Sequence, residues 1–417
     1  MSNIAAAIIT IGDELLIGQT IDTNSVWIAK KLNELGIDVL RRVAVGDERK
    51  AITDALDEEL IKADLILITG GLGPTSDDIT KPLLCDYFGG KLKVDERVLE
   101  HLKDIFTKRN RPVLERNMKQ AEVPDNCTVL FNSMGTAPGM LFQKNGKTII
   151  SMPGVPFEMM AIMEDEVLPR LRAEMKSDAL LHRTIFTAGE GESFIAEKII
   201  DLEEALPSYI RLAYLPDAGM VRLRLTGRSA DKEALEAELD RQQTLFAERL
   251  GNIVIALQDI PLEQILGNSL KEKSKKTGLA ESCTGGLIGN HITNVEGASV
   301  YFNGSVVCYD NQVKQNILGV KAETLAAYGA VSEQTAKEMA LGALRVLNTD
   351  YSLAVTGVLG PGGATDRVKV GTVWMAVASK EAIVAKEFRF FYDRPRNKEM
   401  AAKMGMLFLL KFIEGRL

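Results

Sequence analysis

Apolar and polar residues follow two different periods along the first 170 residues of the chain. Mainly apolar runs of strand length occur at Ile4–Ile11, Val39–Val45 and Asp64–Thr69, as is typical of strands buried within a sheet. Between them, Thr23–Leu35 and Ile52–Lys62 have apolar residues at the spacing of an amphipathic helix. Short connections between strand, helix and strand predict a mostly parallel sheet with helices on both faces.

The pattern changes after a polar stretch at residues 173–181, which we interpret as a linker. Val221–Thr226 then alternates strictly, with Arg222 and Arg224 on the polar face, and its surroundings predict a small α+β unit. The alternation of strands and helices returns from about Pro261. The elements predicted there are strands at Lys276–Ser282, Val300–Tyr309, Tyr351–Thr356 and Gly371–Ala378, and helices at Thr284–Asn294, Glu333–Leu347 and Lys398–Phe412.

These patterns predict three domains. A chain of 417 residues is too long for one compact core. We expect a three-layer α/β domain over residues 1–172, a small α+β domain over residues 180–256 and a second three-layer α/β domain over residues 260–417. Both large domains should be built on mostly parallel sheets.

Composition and charge are those of an ordinary globular protein. Hydrophobic residues make up 46% and charged residues 26% of the chain, and the formal net charge is −7. This acidic balance disfavours broad binding of nucleic acid. No basic segment precedes the first apolar run, and no apolar run approaches the ~18 residues that cross a membrane. We therefore expect a cytoplasmic protein that binds neither membrane nor nucleic acid.

The cysteines and histidines exclude several kinds of site. The four cysteines are far apart and lack the C-x-x-C spacing typical of zinc sites. The three histidines are isolated from one another, which argues against a histidine metal centre or a Ser-His-Asp triad. Any metal should be a hard ion held by carboxylates and substrate phosphates.

A glycine-rich segment, Gly70–Lys81, follows the third predicted strand. Glycines let the backbone approach a ligand closely, and a helix start presents unpaired N–H groups to an anion. Asp77 and Asp78 could coordinate a divalent cation, and Lys81 could neutralise phosphate charge. The alternative is a tight strand-to-helix turn with an aspartate cap and a solvated lysine.

Four other motifs accompany this segment, at residues 12–18, 117–121, 135–139 and 152–156. Together the five motifs resemble the molybdopterin-binding-like domain at the start of CinA-family (competence/damage-inducible) proteins, over about residues 4–170. The resemblance implies metal-dependent cleavage of ADP-ribose to AMP and ribose 5-phosphate, with Asp77 and Asp78 holding Mg, Mn or Co. The nucleotide-binding residues that it implies are Gly12, Asp13, Glu14, Asn24, Gly70, Gly71, Gly73, Thr75, Lys81, Lys119, Gly135, Thr136, Pro153 and Gly154.

Two further segments bear on nucleic-acid binding. Lys103–Lys119 is basic, but acidic residues interrupt it, and we interpret it as a solvated helix face. Residues 183–255 lie where the CinA family carries a KH-like domain, and RNA-binding KH domains use a G-x-x-G loop. Gly189–Glu192 does not have that spacing. We therefore expect a spacer or dimerisation element, and a homodimer.

Ala280–Gly286 is the motif with the most specific chemistry, because a predicted strand leads there into a helix. Ser282 could be a nucleophile, with the following backbone N–H groups stabilising an oxyanion. The alternative role for Ser282 is to cap the helix. Cys283 is a rival nucleophile, because a helix start lowers the pKa of a thiol.

Three more segments, residues 309–314, 356–363 and 393–394, complete a set that resembles the CinA carboxy-terminal domain, a PncC-type nicotinamide-nucleotide amidohydrolase. The resemblance implies Ser282 as nucleophile, Lys314 as a base kept neutral by burial and Tyr309 as a supporting hydrogen-bond partner. No cofactor is implied for this reaction. The substrate-binding residues that it implies are Glu281, Cys283, Thr284, Gly285, Gly286, Asn311, Thr356, Gly357, Gly360, Gly362, Gly363 and Arg394.

Three hypotheses of function follow. The first is a bifunctional hydrolase that acts on nicotinamide mononucleotide in the last domain and on ADP-ribose in the first. The second keeps the amidohydrolase and makes the first domain a nucleotide-binding regulator. The third is a non-catalytic partner protein in DNA uptake or recombination, which the presence of both Ser282 and Lys314 argues against.

Overall fold

The computed structural model describes residues 4–75, 77–174, 178–217 and 219–417. Ser76 of the glycine-rich segment and residues 175–177 of the interpreted linker lie outside the described residues. The chain packs as two compact units. One contains residues 1–182, 207–211 and 226–240, and the other contains residues 183–206, 212–225 and 241–417.

The first sheet is mixed, with four parallel strands followed by two antiparallel ones. The strands of this region are β1 (Ala5–Ile11), β2 (Asp38–Val45), β3 (Leu65–Thr69), β4 (Leu92–Val94), β5 (Glu122–Pro124), β6 (Thr128–Leu130), β7 (Gly139–Lys144) and β8 (Lys147–Met152). The sheet order is β2-β1-β3-β8-β7-β6, and β4 pairs separately with β5. Since β2, β1, β3 and β8 are parallel, the loops that follow these four strands share one edge of the sheet.

Helices cover both faces of this sheet and bury its apolar residues. They are α1 (Asp13–Leu16), α2 (Thr23–Glu34), α3 (Arg49–Lys62), α4 (Thr80–Tyr87), α5 (Glu96–Lys108), α6 (Glu115–Met118), α7 (Pro156–Ile162) and α8 (Leu168–Glu174), with a π-helical turn at Met163–Val167. Ile8 packs in a core with residues of α2, α7 and α8, whereas its neighbour Ile9 packs with residues of α3 and α4. The α/β fold predicted from the apolar runs is therefore confirmed, with three layers.

The middle region forms a four-stranded sheet with two helices. The strands are β9 (Ala179–Ala188), β10 (Ile210–Asp217), β11 (Met220–Ser229) and β12 (Val254–Ala256), in the order β10-β11-β9-β12, and the helices are α9 (Glu192–Glu204) and α10 (Lys232–Leu250). The predicted order of elements is confirmed. Leu223 and Leu225 are buried, and Arg222 stacks on Phe186 with its guanidinium carbon 4.0 Å from the ring centre.

The third sheet carries the best-defined site. Its strands are β13 (Thr277–Glu281), β14 (Phe302–Val307), β15 (Tyr351–Gly357), β16 (Thr372–Ala378) and β17 (Ile383–Arg389), in the order β14-β13-β15-β16-β17. The first three are parallel, and β16 and β17 are antiparallel to their neighbours. The helices are α11 (Leu262–Glu272), α12 (Leu287–Thr293), α13 (Asn311–Asn316), α14 (Ala322–Tyr328), α15 (Glu333–Val346) and α16 (Arg394–Ile413).

Two predicted helix starts in this region are wrong for identifiable reasons. The helix predicted from Thr284 begins at Leu287, because Gly285 and Gly286 adopt left-handed backbone conformations with φ of 58° and 92°. The last helix begins at Arg394, earlier than predicted, because Asp393 caps it by accepting from the N–H of Arg396. No helix among the described residues is both long enough and apolar enough to cross a membrane.

Candidate active site

The carboxyl ends of three neighbouring parallel strands bring the predicted catalytic residues together. Ser282 follows β13, Tyr309 follows β14, and Gly357 ends β15. The N–H of Ser282 donates to the carbonyl of Val355 at 2.9 Å, which fixes the serine beside β15. The side chain of Ser282 does not cap α12, whose N-cap is Gly286 without a side-chain bond. The interpretation of Ser282 as a helix cap is therefore wrong.

Lys314 lies against Ser282 in a buried position. Its Nζ is 3.1 Å from the Ser282 Oγ, 2.8 Å from the carbonyl oxygen of Cys308 and 3.2 Å from that of Tyr309. Only 1% of Lys314 is exposed, and burial lowers the pKa of its amine. A neutral amine can donate to both carbonyls and keep its lone pair for the hydroxyl proton. The geometry therefore suits a base that acts on Ser282.

The start of α13 directs Lys314 towards this pocket. Asp310 caps the helix by accepting from the N–H of Gln312 at 2.7 Å. The chain thus turns back after β14, and the first turns of α13 bring Lys314 beneath the two carbonyls at the strand end. Tyr309 contributes its carbonyl to the amine, whereas its hydroxyl lies elsewhere, at the guanidinium of Arg394.

Glu281 does not reach the substrate pocket, contrary to the expectation that it binds substrate. Its side chain is fully buried and accepts from the N–H groups of Gly286, Ile288 and Gly289 at 2.9–3.1 Å. A fourth bond comes from the hydroxyl of Ser305 at 2.9 Å. The carboxylate therefore ties α12 and β14 to the end of β13, next to Ser282.

Cys283 is less suited than expected to act as a nucleophile. Its side chain is buried, and burial raises the pKa of the thiol to about 12. The expectation that its place before a helix lowers this pKa is wrong, because desolvation, which raises the pKa of the thiol, outweighs the nearby positive charge of Arg394. At neutral pH the thiol is protonated.

Arg394 is held at the mouth of the pocket. Its Nη1 donates to the carbonyl of Gly360 at 2.7 Å, and its Nη2 donates to the Tyr309 hydroxyl at 3.0 Å. Among the described residues no carboxylate forms an ion pair with Arg394. The guanidinium is thus oriented by neutral groups and retains its full charge for an anion.

The loop after β15 forms another wall of the pocket that holds Ser282 and Lys314. Gly357 packs so tightly that an added Cβ would lie 2.7 Å from the carbonyl oxygen of Thr372, and Gly360 and Gly363 have positive φ. The hydroxyl of Thr356, expected to bind substrate, donates instead to the carbonyl of Ala330 at 2.8 Å. This bond brings residues 330–331 to the pocket.

A cavity of about 390 Å³ lies between these groups. Its lining residues are Ser282, Cys283, Tyr309, Asn311, Lys314, Ala330, Val331, Thr356, Gly357, Val358, Leu359, Gly360, Gly362, Gly363 and Arg394. Of the predicted residues, Glu281, Thr284, Gly285 and Gly286 do not line it. Thr284 is fully buried. Ala330 and Val331 were missed, because they are small apolar residues before a helix and carry no chemical signal in the sequence.

The predicted nucleotide site of the first domain lies at the shared edge of its sheet. Gly12 follows β1, Gly70 follows β3 and Gly154 follows β8. Asn24 joins two of these loops, since its Nδ2 donates to the Thr69 Oγ1 at 3.1 Å and to the Gly154 carbonyl at 2.7 Å. The Asn24 Oδ1 is buried and has no partner among the described residues.

The side chain of Lys81, predicted to neutralise phosphate charge, is bound to protein carbonyls. Its Nζ donates to the carbonyls of Lys119 and Gln120 at 2.7 and 3.3 Å. Burial lowers the pKa of this amine to about 8. Thr136, also predicted to bind nucleotide, donates its hydroxyl to the Gln120 side chain at 2.9 Å. The ammonium is therefore directed at protein carbonyls.

The predicted metal ligands do not fit a preformed metal centre. Asp78 Oδ2 accepts from the N–H and hydroxyl of Thr75 at 2.9 and 2.5 Å, and Asp77 is exposed. Within the described ranges no three His, Cys, Asp or Glu side chains are arranged to hold an ion. The edge is nevertheless acidic: burial raises the pKa of Asp47, and the charges of Asp13, Glu14 and Asp77 raise it further.

The fold and site define an α/β protein whose last region holds a buried serine and lysine in hydrogen-bonding contact. Residues 7–173 match the family described as a probable molybdopterin binding domain. Residues 182–256 match the KH domain of the damage-inducible protein CinA, and residues 259–413 match the CinA C-terminal domain.

Individual relatives extend this match to nearly the whole chain. A CinA-like protein of Cytophaga hutchinsonii is 43% identical over 401 residues, which cover 96% of each chain. A CinA-like protein of Flavobacterium psychrophilum is 42% identical over 413 residues, or 98% of each chain. The solved structure of CinA from Thermoplasma acidophilum is 35% identical and covers 39% of this chain and 95% of its own, with a TM-score of 0.36. The chain belongs to the CinA family.

Replacement of Glu281 by Gln should loosen the start of α12. The amide loses the charge that three N–H groups and Ser305 share, and a weakening of about 1–3 kcal/mol is expected for a buried acceptor. Hydrogen exchange followed by mass spectrometry should show amides 286–293 exchanging about 5- to 150-fold faster. Ser305→Ala, which removes only the hydroxyl bond, is the matched control and should have a smaller effect. Unchanged protection in Glu281→Gln would contradict this assignment.

Proposed function

We propose that the carboxy-terminal region hydrolyses the amide of nicotinamide mononucleotide, giving nicotinic acid mononucleotide and ammonia. The observation that carries the proposal is the contact between the buried Lys314 amine and the Ser282 hydroxyl. Both side chains line a cavity of about 390 Å³, within the usual size range of small-molecule pockets. The match of residues 259–413 to the CinA C-terminal domain supports the view that this region is a functional domain.

The reaction would proceed through an acyl-enzyme. Ser282 Oγ attacks the carboxamide carbon while Lys314 takes the hydroxyl proton. The tetrahedral intermediate collapses, the C–N bond breaks, and Lys314 passes the proton to the departing amino group, which leaves as ammonia. Water then attacks the ester and gives a proton to Lys314, which returns it to Ser282 as the nicotinic acid product leaves. Protons and atoms balance over the two steps.

The backbone after Ser282 supplies a candidate for stabilising the oxyanion. Within the described residues, the N–H of Cys283, which lines the cavity, donates to no other residue, whereas those of Gly286, Ile288 and Gly289 are bound by Glu281. A donor beside the nucleophile can bind the oxygen that becomes negative in the transition state. Such donors contribute several kcal/mol in other hydrolases, about 3–4 for a single one.

The Arg394 side of the cavity supports recognition of a phosphate. Arg394 lies there with an unpaired charge, and the Gly360–Gly363 loop leaves the backbone open. A guanidinium can bind two phosphate oxygens at once. The amide would then lie at Ser282 and the 5′-phosphate at Arg394.

Ser282→Ala should abolish ammonia release from nicotinamide mononucleotide, with a loss in kcat of at least about 1,000-fold, because no other nucleophile replaces the hydroxyl. Cys283→Ala is the matched control one residue away. It should retain activity within about threefold, since its thiol is protonated and carries no step. Ammonia release is measured by a coupled assay. An active Ser282→Ala variant with an inactive Cys283→Ala variant would overturn the assignment.

Activity should rise with pH through the pKa of Lys314. Only the neutral amine can take the serine proton, so the enzyme is inactive below that pKa and active above it. Burial lowers this pKa, so the rise should fall below the range of an exposed lysine, measured as kcat/KM between about pH 6 and 10. Lys314→Arg, which stays charged, should be inactive throughout. A rate that falls as pH increases from 6 would contradict the role of Lys314.

For the first domain we propose binding of ADP-ribose and hydrolysis of its diphosphate. The supporting observation is the unpartnered, buried Asn24 Oδ1 at an edge where three glycine loops meet. Since the described carboxylates do not form a metal centre by themselves, Mg, Mn or Co would have to arrive with the diphosphate. A purely regulatory nucleotide site is the second possibility that the same observation supports.

Chromatographic measurement of AMP separates these two roles. Release of AMP from ADP-ribose that depends on added divalent metal is the expected result, whereas binding without release in any metal supports regulation. Asn24→Asp should weaken ADP-ribose binding about tenfold, because it loses the bonds to Thr69 and Gly154 and adds charge to an acidic edge. Binding equal to that of the unmodified protein would contradict a nucleotide at this edge. The homodimer and the cytoplasmic location stay predictions.

A further inference from the structure

A second cavity, of about 730 Å³, lies in the first domain around the segment that joins α5 to α6. Three arginines line it, Arg109, Arg111 and Arg116, together with Phe106, Pro112, Leu114 and Asn117. Asn117 fixes the segment by accepting from the N–H of Leu114 at 3.1 Å. We call this cavity the arginine pocket.

No carboxylate in the described part of the chain lies within ion-pair distance of the three guanidinium groups, although Arg109 is near enough to Glu158 to affect its pKa. Across the described residues none of them forms an ion pair or a side-chain hydrogen bond. Lys108, one residue earlier, differs, because it pairs with Asp104 at 2.7 Å on the solvated face of α5. The basic stretch thus divides into a paired lysine on the helix and three unpaired arginines around a cavity. Like charges gathered without partners attract an anion.

The lining suits a ligand that has both phosphates and a ring. Arginine forks bind phosphate oxygens in pairs, and Phe106 offers an aromatic face on which a planar base can stack. Leu114 and Pro112 add apolar surface. A nucleotide combines these features in one molecule, whereas an inorganic anion would leave the apolar wall unused.

The arginine pocket also adjoins the predicted nucleotide loops. The positive charge of Arg109 acts on Glu158, a half-buried carboxylate whose pKa is raised by burial. Glu158 lies directly beneath Gly135, where an added Cβ would come within 2.1 Å of the carboxylate. Asn132 joins the two, since it donates to Glu158 at 2.7 Å and accepts from the N–H of Gly135 at 2.9 Å.

Of the two lysines in the predicted site, Lys119 is exposed and lies three residues after Arg116. The edge carries Asp13, Glu14, Asp47 and Asp77, and Lys81 is directed at carbonyls. We propose that the arginine pocket binds the phosphate groups of a nucleoside diphosphate derivative, with the ring of that ligand against Phe106. This inference rests on the proposed nucleotide specificity of the first domain and adds the residues that recognise charge.

Binding to the full chain should be measured with ADP-ribose, AMP and adenosine in EDTA, so that no turnover is required. Affinity should fall in that order as phosphate charge is removed. Arg111→Ala and Arg116→Ala should each weaken ADP-ribose binding about tenfold or more and reduce its dependence on salt. Lys108→Ala is the matched control and should change the affinity less than about twofold, because its charge is already paired.

Hydrogen exchange locates the ligand independently of the carboxy-terminal cavity. ADP-ribose should protect the peptide that covers residues 106–117 in the unmodified chain, and Arg116→Ala should remove that protection. Protection confined to other peptides, equal affinity in the arginine variants, or tighter binding of a single-stranded oligonucleotide would overturn the proposal. Arginine-dependent binding without AMP release in any metal would refute the hydrolase role of the domain and leave the arginine pocket intact.

Discussion

A buried amine without a carboxylate partner is the constraint around which the carboxy-terminal site is built. Placing a charged ammonium in a desolvated pocket is expensive, and among the described residues Lys314 forms hydrogen bonds to two carbonyls and one hydroxyl and to no carboxylate. These acceptors can hydrogen-bond either form of the amine but bring no negative charge to balance an ammonium, so desolvation lowers the pKa. The strand order makes this contact possible, because β13 lies between β14 and β15 and all three end at the same edge.

Glu281 is a second buried ionisable group, and its surroundings differ from those of Lys314. Its carboxylate receives three backbone N–H bonds and one hydroxyl bond, so the charged form is well solvated by protein dipoles. Neighbouring residues of one motif thus have separate tasks. Glu281 holds the turn in place, and Ser282 faces the cavity.

The sequence predicts the elements whose residues follow a regular period and the loops at the strand ends. It does not predict which of several possible hydrogen-bond partners a side chain contacts in the folded chain. The fully buried strand Leu65–Thr69 follows from patterning, whereas the pairing of Ser282 with Lys314 was implied by the resemblance to the CinA carboxy-terminal domain and is seen in the structure as a contact at the shared edge of parallel strands. Strand β17 was not predicted, because its residues do not alternate regularly between apolar and polar. Lys81 and Glu281 were assigned to ligands, yet both are bound by backbone groups that only the folded chain brings near. The spacing of residues along the chain does not show whether a side chain binds a ligand or a backbone group.

Both α/β sheets place glycine loops at the carboxyl ends of parallel strands. The charged side chains near these loops differ between the two sheets. At the last sheet the cation is part of the pocket, since Arg394 is oriented by Gly360 and Tyr309. At the first sheet the strand ends are acidic, and the unpaired arginines lie on a separate segment after α5. A glycine loop therefore gives the backbone room for a phosphate but does not determine where its counter-charge lies. Because that charge comes from residues distant in sequence, a shared fold and a shared loop motif can serve ligands of different charge.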